Sequence, residues 1–484
     1  MKQKSIKLNF IMNAILQISA FIFPLITFPY VSRILGPSGT GNVSFATSIV
    51  TYFALFAQLG IPTYGIRATA RVRDDKRLLS KTVQEIFIIN AVMCVLAYIV
   101  FFVVLNLVPK MYNDRFLFII ISATILFNSV GMDWLYKGLE KYTYITFVSI
   151  TFKFIALILM FVCVHHKNDY VIYGAISIFA ASASNICNLV NIHKLIYIKP
   201  ILNYEFTKHF RPIMIFFAMS CATTIYTNLD TVMLGFMKDN VEVGYYNAAI
   251  KIKNVLLGVV TSLGTVLLPR ASYYVENNMY SEFKRIAGKA LNFVVLISFP
   301  LCLYFILFAK EGVLFLSGDA YTEAILPMQI LMPTLIFIGL TNIMGIQMLI
   351  PLGREKVVLY SEIAGAIVDL AINIILIPIM SSSGAAIGTL VAEGVVWMVQ
   401  YQALKELVKE SYLKIKYIPI FLGITLAGIL SYFIKSLYLN SFLTLLLSAV
   451  IFFAVYLIVL TLAKESLINE IEYQILEKIL KKGE

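Results

Sequence analysis

Charged side chains standing inside long apolar runs are the residues here with chemistry to offer, and that chemistry is ion and anion binding. Lys153 lies about ten residues, roughly 15 Å at ~1.5 Å per residue, past the near end of its run, with Thr146 and Ser149 on its helical face. A lysine at that depth costs at least ~2.5 kcal/mol on insertion scales, so it is paired, hydrated or functional. Asp369 takes nearly the corresponding place later in the chain, on one face with Glu362, Gly365 and Asn373. Two readings stay open: Lys153 and Asp369 pair and hold one state closed, or they separately bind a substrate and a coupling ion. Glu393 is a further acid in an apolar run, whereas Asp133 is shallow enough to be interfacial. Asp230 and Lys251 lie at one depth on neighbouring runs and are expected as a structural ion pair. Lys253, two residues on, points about 200° away and is a candidate for an internal cavity.

Uncharged polar residues form stripes at three-to-four-residue spacing, namely Asn9, Asn13 and Gln17; Thr47, Thr51 and Gln58; and Thr223, Thr224, Thr227 and Thr231. Such stripes serve either as hydrogen-bonding glue between helices or as the lining of a hydrated path. Their recurrence in related runs favours the path, with Asn13, Gln17, Thr51, Gln58, Thr224, Thr227, Lys153 and Lys253 as its candidate lining. No G-x-x-x-x-G-K-[ST] occurs, so no nucleotide-hydrolysing engine is built in, and four histidines without ligand spacing give metal catalysis no support. No metal or organic cofactor is expected. Proton or sodium coupling would fall to Asp369, Glu362 and Glu393.

These residues are held by apolar elements. Of 484 residues 60% are hydrophobic and 14% charged, and the mean hydropathy is +0.85, which excludes a soluble chain. Runs of about 20 residues, the length that crosses a bilayer, fall near 8–32, 42–66, 83–109, 116–136, 144–164, 170–193, 212–237, 245–268, 290–309, 325–350, 357–380, 385–404, 417–434 and 441–463. The chain is thus expected to be an all-α integral membrane protein with about 14 transmembrane helices, called spans 1 to 14 below. The alternate connections starting with the N-terminal tail carry 29 Lys and Arg and the others 7, which by the positive-inside rule puts both termini in the cytoplasm. The net charge of +12 is an orientation signal rather than a nucleic-acid footprint. No connection on the outer side is long enough for a folded domain, the longest being Lys310 to Ala324. Residues 464–484 set Leu467, Ile468, Ile471, Ile475, Leu476, Ile479 and Leu480 on one helical face, an interfacial amphipathic helix.

The chain repeats. Gly41-Asn42 is followed after 26 residues by Arg67-Ala68, and Gly244-Tyr245 after 26 residues by Arg270-Ala271, an offset of 203. Gly138-Leu139-Glu140-Lys141 matches Gly353-Arg354-Glu355-Lys356 at an offset of 215. Six spans form the unit, and an even number preserves orientation, so the repeats are parallel. The domains expected are a lobe at 1–200 (spans 1–6), a lobe at 201–410 (spans 7–12), an appendix of spans 13 and 14 at 411–463, and the cytoplasmic helix at 464–484.

Phe28-Pro29-Tyr30-Val31-Ser32-Arg33-Ile34-Leu35-Gly36-Pro37 with Gly39-Thr40-Gly41, then Asn228-Leu229-Asp230, Gly244-Tyr245-Tyr246-Asn247-Ala248-Ala249 and Leu268-Pro269-Arg270, resemble the polysaccharide-transporter branch of the multidrug/oligosaccharidyl-lipid/polysaccharide (MOP) exporter superfamily. The resemblance covers essentially the whole chain. It implies two parallel six-helix lobes plus two C-terminal helices, and a flippase that carries undecaprenyl-diphosphate-linked oligosaccharide repeat units for O-antigen or capsule from the inner to the outer leaflet of the bacterial plasma membrane. It implies no enzyme activity, and leaves open association with glycan polymerase or ligase machinery. Lys153 and Lys253 would offset the diphosphate charge, and the hydroxyl and amide stripes would hydrogen-bond sugars. A lipid II flippase of the same superfamily is an alternative, as is a cation-coupled drug exporter, although the deep charge of the first lobe is a base. A membrane polymerase or ligase would need a large external loop.

Overall fold

The computed structural model describes residues 6–470 apart from 202 and 263, and among them only helices and connections occur. Among the described residues ten helices are long and apolar enough to cross a membrane, or eleven if the bent pair Asp319–Leu331 and Thr334–Leu349 is one span. Two of the helical stretches, Ile6–Gln58 and Glu355–Lys414, run 53 and 60 residues. Straight, they would measure on the order of 80–90 Å against a hydrocarbon core of ~30 Å.

Both turn back at a single residue. In the first, Gly36 takes φ 65°, ψ −177°, and Pro37 follows, pre-set to restart a helix. Glu140 accepts hydrogen bonds from Asn9 Nδ2 (3.5 Å) and Arg73 Nη1 (2.9 Å), so the start of span 1 and the residues just past span 2 meet at one end. In the second, the break is Ser381 at φ 49°, and Gln400 Nε2 donates to Ser361 Oγ (3.0 Å) across the hairpin. Each long stretch therefore supplies two of the expected spans. The helix Asn240–Val260, at the place of span 8, has the length of a crossing but is diluted by Glu242, Lys251, Lys253 and three asparagines. Every expected span thus has a helix at its place. Lys310 to Ala324, expected as a loop, is instead ordered as the helix Ala309–Ser317 and the turn Asp319–Ala324.

The repeat offset of 203 reappears in the backbone. A break at Leu59-Gly60, inside the expected span 2, precedes the short helix Ile61–Arg71, which holds Arg67-Ala68, and a break after Val260, inside the expected span 8, precedes Gly264–Glu276, which holds Arg270-Ala271. The two motifs at offset 215 both form turns with a left-handed residue, Glu140 at φ 54° and Gly353 at φ 69°.

Contacts group the chain into two compact units, Met1–Gly244 and Tyr245–Glu484. In the first, Leu79, Ile86, Trp134, Tyr136 and Ile192 form one buried cluster and Val31, Leu35, Ala156 and Met160 another. In the second, Phe283, Leu291, Tyr304, Phe308, Phe452 and Tyr456 pack together, and spans 13 and 14 pair with each other against span 9. Large side chains such as Val100, Ile375 and Ile458 stay more than half exposed, the outward face expected in lipid. Within each unit, connections that the charge count puts on one side do lie together: Gln84 with Tyr197 and Lys199, and Lys289 with Glu470. Of the expected amphipathic helix, Leu467 and Ile468 pack on the second unit's core, and Ile471, Ile475, Leu476, Ile479 and Leu480 lie outside the described residues.

Candidate functional site

In the first unit, spans 1 and 5 are zipped side by side. Thr146 Oγ1 donates to Met12 O (2.9 Å), Lys153 Nζ to Ser19 Oγ (2.9 Å) and Tyr30 OH to Val164 O (2.9 Å). The offset is 134 residues each time, so the two helices run parallel and in fixed register. Lys153 is thus held at mid-span by a neutral hydroxyl, and among the described residues no carboxylate of its unit bridges it. An ammonium group placed this way has no carboxylate of its own unit to neutralise it and can serve an anion. Ser19 carried no signal in the sequence beyond its small polar side chain. Of the neighbouring stripe, Asn13 is half-buried and Gln17 exposed.

Span 7, Thr207–Met237, is the least buried of the candidate spans, and its hydroxyls explain how a polar stripe survives there. Thr223 donates to Met219 O, Thr227 to Thr223 O (2.9 Å), and Asn228 Nδ2 to Thr224 O (3.0 Å). Each donor is satisfied by its own preceding turn, which leaves oxygen lone pairs for a visiting ligand. Thr51 does the same on Thr47 O (2.8 Å), and Thr51, Gln58 and Thr224 are half-buried while Thr227 is exposed.

In the second unit the polar groups lie inside the hairpin of spans 11 and 12. Ser361, Gly365, Asp369 and Asn373 recur every four residues and are all buried, with Glu362 one position round and half-buried. Opposite them, a Cβ on Gly388 would lie 2.3 Å from Asn373 Oδ1 and 2.8 Å from Asp369 Oδ1, so only the bare backbone admits the acid and amide. Thr389 Oγ1 meets Tyr246 OH from span 8 at 2.8 Å. Glu393 and Lys253 are buried and Lys251 is partly so; Asp230 is buried in the first unit. The interfacial Asp133 bridges Lys137 (2.6 Å).

A second polar centre has only a faint sequence signal. Glu85, fully buried at the entry of span 3, accepts the Glu205 N–H (2.7 Å) on Oε1 and meets His209 Nε2 (2.8 Å) and Lys208 Nζ (3.0 Å) with Oε2. His209 Nδ1 lies 2.6 Å from Tyr64 OH. The adjacent Gln84 takes Tyr197 O, Lys199 O, the Ile201 N–H and Tyr204 OH. Two consecutive side chains thereby strap the whole connection between spans 6 and 7. His209, one of the four histidines without ligand spacing, is a structural keystone.

A third feature joins the repeat motifs themselves. A Cβ on Gly41 would stand 1.6 Å from Asn240 O, and one on Gly244 would stand 2.1 Å from Pro37 O. Because 37 and 41 correspond to 240 and 244 at the repeat offset, each turn presents the same two positions to the other. Asn240 Nδ2 donates to Asn42 Oδ1 (2.7 Å) beside them.

Comparison with known proteins places this geometry. The profile of the polysaccharide biosynthesis protein family matches residues 6–275, and that of the MatE family residues 215–392. The chain is 26% identical over 391 residues, 80% of its length and 94% of the relative's, to a "Putative O-antigen transporter" of Escherichia coli (strain K12). Among solved structures it resembles the lipid II flippase MurJ in an inward closed conformation, with TM-score 0.72 and 16% identity over 93% of this chain and 98% of that one. It also resembles an inward-facing multidrug resistance MATE family transporter of the MOP superfamily, with TM-score 0.60 and 14% identity over 80% and 95%.

Proposed function

We propose that this chain, which belongs to the polysaccharide biosynthesis protein family and is a polysaccharide transporter of the MOP superfamily, flips undecaprenyl-diphosphate-linked oligosaccharide repeat units from the cytoplasmic to the outer leaflet. The observation that carries the reading is Lys153, a mid-span cation that among the described residues of its own unit is held by a hydroxyl, in a unit whose spans 2 and 7 carry satisfied hydroxyls. A lipid-linked sugar leaves its polyprenyl tail in the bilayer and asks the protein for a charge to meet its diphosphate and for adaptable acceptors and donors to meet its hydroxyls. Alternating access by rocking of two like repeats suits such a cargo. Proton or sodium coupling through Asp369, Glu362 and Glu393 belongs to the same proposal. So does placement in the bacterial plasma membrane with both termini cytoplasmic, on the charge asymmetry of the connections. Lys153 and Lys253 are each a candidate contact for the diphosphate.

The test is depletion of the protein in its host, followed by analysis of accumulating undecaprenyl-linked lipids and their sidedness with an impermeant sugar-modifying reagent. One complete repeat unit accumulating on the shielded face is expected. Unchanged lipid-linked sugars would reject the reading, and accumulation of lipid II instead would reassign the cargo.

A further inference from the structure

Away from the polar stripes, the second unit holds a slot of about 420 Å³ at one end of its bundle. Three segments build it: the first three turns of the helix Tyr280–Leu307, the end of Glu355–Lys414, and residues 466–470 after span 14. The charge count of the connections puts all three on the cytoplasmic side. Lys284, Arg285, Lys289 and Lys414 line it, against two lining carboxylates, Glu410 and Glu470. Those carboxylates are engaged by Lys414 (2.8 Å) and Lys289 (2.7 Å), and Arg285 bridges Glu282 one turn back. Among the described residues Lys284 bridges no carboxylate, so the slot carries an excess of positive charge. The hydroxyls of Ser281 and Ser411 add neutral hydrogen-bonding groups.

Cations with hydroxyls are the chemistry that holds a phosphate. The surroundings say which phosphate. Directly beside Lys414 and Ile415 of the lining, Leu413 is 76% and Ile418 75% exposed, an apolar flank at the end of the spans where lipid tails begin. We propose that the slot binds the phosphate of an anionic bilayer phospholipid from the cytoplasmic leaflet, with its acyl chains against Leu413 and Ile418. Basic pockets between helix ends are suited to such headgroups. The inference does not depend on which cargo the protein carries.

The full-length protein in detergent, titrated with dioleoyl phosphatidylglycerol and followed by native mass spectrometry, should bind one such lipid in clear preference to dioleoyl phosphatidylcholine. The double variant Lys284→Ala/Arg285→Ala, at exposed positions, should weaken it about 30-fold, at ~1 kcal/mol per cation. Lys405→Ala/Lys409→Ala removes the same charge outside the slot and should change little. Equal binding of phosphatidylcholine, or equal loss in both double variants, would overturn the proposal. So would inorganic phosphate binding as tightly as the lipid, which would make this a soluble-ion site. Displacement of the phospholipid by equimolar undecaprenyl diphosphate would also overturn it and assign the slot to a polyprenyl carrier.

Discussion

Substituting Gly41→Ala tests the contact between the two repeat-related turns. The added Cβ would stand 1.6 Å from Asn240 O, 2.7 Å from its carbonyl carbon and 2.9 Å from Gly244 N, all of them backbone atoms that no rotamer change can move. Reaching ordinary contact near ~3.4 Å requires the turns to part by roughly 1.8 Å, and overpacking of this kind costs about 1–3 kcal/mol. The same separation stretches the 2.7 Å bond from Asn240 Nδ2 to Asn42 Oδ1 beyond hydrogen-bonding range, about 1 kcal/mol more. The penalty of about 2–4 kcal/mol falls only on states in which the turns touch, enough to depopulate them roughly 30-fold or more. Oxidative crosslinking of an Asn42→Cys/Asn240→Cys pair, in a background without the native cysteines, reads that population. That reporter lacks the Asn42–Asn240 bond, so only the overpacking cost of about 1–3 kcal/mol acts on it: the crosslink should form readily in the parent and fall about fivefold or more with Gly41→Ala, and surface glycan should fall with it. Gly244→Ala, whose Cβ meets Pro37 O at 2.1 Å, should act likewise. If Gly41→Ala leaves both crosslink and glycan display at parental levels, the close approach of the turns has no part in the working cycle.

Lys153→Ala should abolish surface glycan at normal protein levels, Lys153→Arg should retain part of it, and Ser19→Ala should be milder than either loss of charge; a glycan display assay orders the three. Asp369→Asn should remove the dependence of flipping in proteoliposomes on the coupling cation, and unchanged ion dependence would take Asp369 out of the coupling role. Glu85→Ala strands His209, Lys208 and the Glu205 N–H and should cost about 3–5 kcal/mol in unfolding by sodium dodecyl sulfate, with Glu85→Gln costing less. Burial pushes Glu465 upward, but hydrogen bonds from Asn292 Nδ2, the Ile468 N–H, Ser466 and the Leu467 N–H outweigh it and hold the carboxyl below the usual range. A depressed acid stabilises the folded state above its unfolded pKa of about 4.5 and loses that stabilisation as pH falls through the lower folded value. Stability between pH 5 and more acid conditions (roughly one to two units lower) should therefore fall less steeply in Glu465→Gln.

The spans were legible because an apolar run of bilayer length has few other uses, and their order was legible because Gly41, Gly244 and the Arg-Ala pairs recur at one offset. The turns were less so. The stretch around Gly36 reads as a loop, yet one left-handed glycine followed by a proline reverses the chain and everything else stays helical. Within the candidate site, Lys153 announces itself by its charge, but its partner Ser19 does not, because serine is tolerated almost anywhere on a membrane helix. The buried row in span 11 is set by Ser361 rather than the more conspicuous Glu362. Glu85 and His209 were hidden for a different reason: 124 residues separate them, and periodicity reports only what a helix does to its own neighbours.

The reciprocal placement of Gly41 on Asn240 and Gly244 on Pro37 also speaks to ancestry. In two separate copies of a half-length chain, the same approach would be an isologous contact, one surface patch meeting itself across a twofold axis. A six-span ancestor could have dimerised through this turn before its gene was duplicated and fused. In such a dimer any substitution there would strike both sides of the contact together. Within one chain the two sides vary independently: Asn42 faces Tyr245 in the alignment of the halves, while the two glycines at the crossing are alike.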